Sequence, residues 1–169
     1  MADFENKLDL LDRILTKNIN WIGSADSKGT FLFAIDSAML AVLAALVPSI
    51  DQWTIGMAAF ASFSLATLSA SVLFIVLATV PRLDGPRNSK IYFGGIASFD
   101  EDDYVSRISE GITEDLLRDF ARQIHQNAEI AKRKFDMIKR AFISTFLALP
   151  VWLISIWLMY PIKFPGLHS

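Results

Sequence analysis

EDLLRDFARQIHQNAEIAKRKFDMIKRA, residues 114–141, runs directly into FISTFLALPVWLISIWLMY, residues 142–160. The first part is charged and heptad-patterned. The second has no ionisable side chain before its terminal Tyr160. No Gly interrupts the stretch, and its one Pro is Pro150. At about 1.5 Å rise per residue the apolar part matches a hydrocarbon core of roughly 30 Å. The pattern predicts one long helix that begins in water and ends in lipid.

The rest of the chain supplies partners for both halves. Hydrophobic residues make up 53% of the 169 and fall in blocks, the composition of a membrane protein. The fold class this predicts is an all-α membrane protein, with three transmembrane helices and a helical, coiled-coil-like cytosolic portion. A net charge of −2 gives no basic field for nucleic acid. Without Cys there are no disulfides, thiolate metal sites or Cys nucleophiles. The first residues, 2–12, are acidic and amphipathic, unlike a cleaved signal peptide.

Residues 1–28 form a predicted cytosolic amphipathic helix. Phe4, Leu8, Leu11, Leu15, Asn18, Ile22 and Ala25 step by four and three, a heptad seam. Asn18 is its one polar member and either fixes register or faces solvent. Asp26-Ser27-Lys28-Gly29 marks the membrane edge. Residues 29–80 read as a transmembrane hairpin, with a polar turn at 48–52 and Trp53 as an interfacial residue. Ala34, Ala38, Ala41 and Ala45 on the first span, and Ala58, Ser62, Ala66 and Ala70 on the second, are small faces for close packing. They serve either the hairpin or a homo-oligomer. Asp36 is the only carboxylate in an apolar span, held either by Ser or Thr of the second span or placed at a functional polar path.

Residues 81–112 are the least regular, a cytosolic loop with a short helix near 99–109 and a capping box from Ser98 to Glu101. The long cytosolic helix, 113–141, carries a second predicted seam. Its members are Leu117, Ala121, Ile124, Ala128, Ala131, Phe135, Ile138 and Phe142. Residues 142–160 are the third span, where Pro150 is a possible kink site, and 161–169 a short tail.

Basic residues set the orientation. Lys7, Arg13, Lys17 and Lys28 precede the first span and eleven lie between the second and third. Lys163 alone follows, completing the 16. The positive-inside rule then places the N-terminus and the middle segment in the cytosol and the C-terminus in the periplasm.

No catalytic constellation appears, so the chain reads as not an enzyme. His125 has no partner in the pattern, and phosphate-loop, nucleophile-elbow and zinc spacings are absent. No metal site is expected, and the acidic run 100–103 suits a helix start. Lys132, Arg133, Lys134, Lys139 and Arg140 lie before the third span, where anionic lipid head groups attract cations. The loop Arg87, Asn88, Lys90, Tyr92, Phe93, Gly94 and Gly95 offers cations, an amide, two aromatics and two glycines. Cations hold a phosphate, rings stack a base, and Gly admits close backbone approach, so this is either a nucleotide site or a plain loop.

Three segments in this order carry a resemblance. They are Asp26-x-Lys28, then Phe93-Gly94-Gly95-Ile96, then Ile124 through Ile130-Ala131-Lys132-x-Lys134-Phe135. The arrangement is similar to the transmembrane effectors of bacterial Pycsar antiphage systems. That resemblance implies an inner-membrane effector and, as functional partner, a pyrimidine nucleotide cyclase. The activating ligand would be cUMP or cCMP, with no other cofactor, and its binding would impair the membrane and cause abortive infection. The physical reading of the residues then places the expected ligand site between the 87–95 loop and the helices near Asp26, Lys28 and Lys134. The alternative is a membrane-anchored scaffold whose coiled coil binds a partner and no small ligand. Partners are then the lipid bilayer and, in a homo-oligomer, further copies of the chain.

Overall fold

The computed structural model describes residues 2–80, 88–110 and 114–164, with side chains from residue 4 onward. The expected helix stop at Gly111, cap at Thr113, span end at Pro81 and loop cation Arg87 lie outside them, as does the tail beyond 164. The described residues form α1 (Ala2–Leu46), a 3-10 turn (Ile50–Gln52), α2 (Ile55–Thr79), α3 (Phe93–Ile96), α4 (Glu101–Ser109) and α5 (Glu114–Lys163). No strand occurs among them. α1, α2 and α5 are each long and apolar enough to cross a membrane. The contacts divide into a polar unit, residues 1–25 and 80–134, and a membrane unit, residues 26–79 and 135–169.

α1 does not pause at the expected membrane edge. Its seam simply continues. Asn18, Ala25, Gly29, Leu32, Asp36, Met39, Leu43 and Leu46 are buried, each three or four residues after a seam neighbour. A Gly inside a helix costs roughly 0.5–1 kcal/mol relative to Ala. At Gly29 the return is close packing: a Cβ there would lie 3.0 Å from Ile138 Cδ1 and 3.8 Å from Ile75 Cγ2.

In the polar unit, Asn18 takes the register role. Its Nδ2 donates to the Ile124 carbonyl at 3.1 Å and the residue is buried. The α5 seam is shifted from the expected one. Ile124, Ala131 and Ile138 belong to both phases, but Ala121, Ala128 and Phe142 are exposed. Phe120, Asn127 and Lys134 take alternate places instead, and Ala141, Thr145 and Ala148 continue the line. Lys134 fits there half-buried, because its stem can lie against apolar neighbours. The capping box of Ser98 does not form. Ser98 Oγ donates back to the Gly95 carbonyl at 2.6 Å, and Asp100 is the N-cap of α4.

The membrane unit packs in three apolar layers. Leu32, Ile75, Ala78, Ile138 and Ala141 form the first, and Met39, Leu43, Leu68 and Ala148 the second. Leu46, Met57 and Met159 form the third. The alanine face of the first span, residues 34, 38, 41 and 45, is exposed, as are Ser62 and Ala66. The α1 face therefore does not pack the hairpin, whereas Ala58 and Ala70 of the α2 face are half-buried. The hairpin's own contact uses the bulkier heptad positions, and Trp152 Nε1 ties α5 to α1 through the Met39 carbonyl at 2.9 Å.

Candidate functional site

Two polar assemblies stand out, one in each unit. In the polar unit, the segment leading into α3 turns around one hydroxyl. Ser89 Oγ accepts from the backbone N–H of Ile91 at 3.2 Å and of Tyr92 at 2.8 Å. The Asp119 carboxylate of α5 fixes that turn from outside, accepting from Ser89 Oγ at 3.0 Å and from Lys90 N–H at 2.7 Å. Beside it opens a cleft of about 220 Å³ lined by Asn88, Ser89, Lys90, Asp115, Arg118, Asp119 and Arg122. The α5 members recur at one-turn spacing, so they share one helix face.

Its charges are unevenly committed. Asp119 is spent on the turn. Arg118 faces Glu114 at 3.7 Å, with both side chains largely exposed, a pair of little energetic weight. Arg122 is exposed and forms no ion pair among the described residues. Lys90 Nζ donates to the Arg107 carbonyl at 3.1 Å and lies 3.7 Å from Glu110, which draws α4 onto the turn. Tyr104 Oη completes that contact by donating to the Lys90 carbonyl at 3.1 Å. The cleft thus offers the guanidinium groups of Arg118 and Arg122 on α5 and the Asn88 amide on the turn, beside the carboxylates of Asp115 and Asp119.

Of the residues singled out by sequence, Asn88 and Lys90 line this cleft. Tyr92, Phe93, Gly94 and Gly95 lie just beyond it. Tyr92 is buried and its ring tilts against that of Phe93 at 4.7 Å, while Phe93 is exposed. The glycines belong to the helical turn of α3 rather than to an open loop, and a Cβ on Gly94 would meet the Tyr92 ring at 2.6 Å. Lys134 is half-buried on α5 in the same unit. Asp26 and Lys28 belong to the membrane unit, where Lys28 Nζ lies 5.1 Å from the Phe135 ring centre and the Asp26 carbonyl accepts from Thr30 Oγ1. Sequence reasoning overlooked Arg118, Asp119 and Arg122. Their signal was present in the charged stripe 115, 118, 119, 122 on one face of α5.

The second assembly is in the membrane unit. Asp36 is wholly buried, its Oδ2 accepting from Ser71 Oγ at 2.6 Å and its Oδ1 from Thr145 Oγ1 at 2.8 Å. The two hydroxyls are 2.9 Å apart, and each lies 3.1 Å from the Ala141 carbonyl. One residue from each long helix meets here. An Asp at the centre of a spanning helix costs about 2.5–3.5 kcal/mol to insert. An interhelical hydrogen bond in a membrane returns about 0.6 kcal/mol on average. Two such bonds do not offset that cost.

These features define a class: a three-span membrane protein whose polar helical unit carries a cleft lined by basic and acidic side chains. Within it, the chain belongs to the Pycsar effector family. The Pycsar effector protein domain, PycTM, matches residues 10–160. The Pycsar effector protein PtPycTM of Propioniciclava tarda is 24% identical over 138 residues, covering 76% of this chain and 68% of that protein. No solved structure matches. Family membership makes the chain an effector of an antiphage system and agrees with its membrane-spanning helices.

Proposed function

We propose that the polar unit is a receptor for a cyclic pyrimidine mononucleotide, cUMP or cCMP, and that ligand binding causes the membrane unit to breach the inner membrane and halt the infected cell. The cleft carries this reading: Arg118 and Arg122 at its wall, with Asn88 and Lys90 on a fixed turn. At about 220 Å³ it is smaller than the roughly 300–1,000 Å³ of sites for drug-sized ligands, and it suits the charged end of a mononucleotide. The cyclic phosphate takes paired hydrogen bonds from guanidinium groups, and the base extends toward exposed Phe93.

A two-state switch needs a ligand that prefers one state. Moving from 1:99 to 99:1 takes roughly 5.5 kcal/mol of preference, within reach of several charge-assisted bonds. The chain acts without catalysis in this reading, and its messenger comes from a partner cyclase. Polar unit and N-terminus lie in the cytosol, where that messenger is made, and the C-terminus lies in the periplasm. The exposed alanine face of α1 supports assembly into a homo-oligomer, since such faces let helices approach closely in lipid.

The test is a thermal shift of detergent-solubilised protein with cUMP, cCMP, cAMP and cGMP. A pyrimidine ligand raises the melting temperature, and Arg122→Ala weakens its affinity about 10–100-fold, the share of a charge-assisted bond. No shift with any of the four nucleotides removes the receptor reading.

A further inference from the structure

We propose that Asp36, Ser71 and Thr145 form an intramembrane binding site for a small monovalent cation. The proposal goes beyond the nucleotide receptor and does not rest on it. Its first ground is charge. Asp36 has no accessible surface, and no Lys, Arg or His pairs with it among the described residues. A carboxylate taken out of water is normally paired, bound to a metal ion or neutralised by a proton.

Its second ground is the hydrogen inventory. Five oxygen–oxygen contacts of 2.6–3.1 Å link the two Asp36 oxygens, Ser71 Oγ, Thr145 Oγ1 and the Ala141 carbonyl. Each hydroxyl brings a single hydrogen. With the carboxyl's own proton counted as well, at most three hydrogens serve five contacts, and the assembly is rich in lone pairs. A cation uses lone pairs where hydrogens are short, because a hydroxyl can turn its hydrogen away and present oxygen.

The ligand chemistry selects the ion. Carboxylate, hydroxyl and carbonyl oxygens are hard donors, suited to alkali and alkaline-earth ions rather than to soft metals. One carboxylate balances one positive charge, whereas a divalent ion would leave a net charge among apolar layers. Na⁺ and K⁺ share the fitting chemistry. Their occupancy draws together α1, α2 and α5, which contribute Asp36, Ser71 and Thr145 respectively.

The test uses the full chain in detergent without nucleotide, so its outcome is separate from that of the receptor reading. Melting temperatures are measured in NaCl, KCl and choline chloride at equal ionic strength. A cation bound only by the folded protein raises the melting temperature with concentration. The expected result is a rise in Na⁺ or K⁺ over choline, lost in Asp36→Asn, and displaced to roughly tenfold higher salt in Thr145→Val. If Asp36→Asn does not fold, Thr145→Val and Ser71→Ala carry the comparison. Equal melting temperatures in all three salts overturn the site, as they would if a proton alone satisfied Asp36. So does an unaltered alkali-ion dependence in the variants.

Discussion

Asn18 shows how one polar side chain specifies a contact that apolar neighbours only favour. Over residues 4–25 it sits in a seam otherwise made of Phe, Leu, Ile and Ala and spends its amide on the Ile124 carbonyl. Asn18→Ala removes that bond without restoring packing, so the polar unit loses about 1–2 kcal/mol. Asn18→Leu refills the space and recovers much of that loss, yet releases the register. Amide hydrogen exchange over residues 10–25 reads both effects: faster in the Ala variant, near the parent rate in the Leu variant. Sequence spacing identified Asn18 and Asp36 because a polar residue in an apolar pattern is conspicuous. It foresaw a hydroxyl from the second span for Asp36, as Ser71 provides, but not Thr145 of α5. A third helix's hydroxyl depends on rotation about the helix axis, which a linear pattern leaves open.

At the scale of elements, existence was more legible than phase. The three long helices follow from apolar length and an absence of breakers. Which stripe of α5 is buried does not, because two overlapping heptad phases share Ile124, Ala131 and Ile138. Small residues at 121 and 128 made the wrong phase look like a close-packing seam, while Lys134 disguised the right one. Inward size therefore separates the phases experimentally. Ala141 has no exposed surface and packs with Leu32, Ile75, Ala78 and Ile138, so Ala141→Leu overfills that layer and costs about 1–3 kcal/mol. Ala128 is exposed, and Ala128→Leu stays within about 0.5 kcal/mol. Reversible unfolding of the two variants in mixed micelles measures the contrast; equal costs would restore the other phase. The cleft was half legible for a related reason. Asn88 and Lys90 stood out as a loop motif, whereas Arg118 and Arg122 resembled the solvated charges of any amphipathic helix.

For the whole molecule, the decisive quantity is which side of the bilayer holds the polar unit. Fifteen of the 16 basic residues precede the first span or lie between the second and third, and one follows the third. A Lys or Arg near an anionic cytoplasmic surface is worth about 1 kcal/mol. The juxtamembrane group Lys132, Arg133, Lys134, Lys139 and Arg140 alone therefore biases orientation by several kcal/mol, against a single opposing Lys163. Neutralising Lys132 and Arg133 leaves Lys134, Lys139 and Arg140 beside the span and does not invert the chain. Alkaline phosphatase folds actively only outside the cytosol. Fused after residue 164 it is expected to be active, and inserted between α4 and α5 it is expected to be inactive, in the parent chain and in the doubly neutralised one alike. The opposite pattern would put the Arg118–Arg122 cleft beyond reach of an intracellular messenger, and the receptor reading would fall even if purified protein bound the nucleotide. The fusion result and the thermal shift thus constrain different links: one asks whether ligand and cleft share a compartment, the other whether they fit.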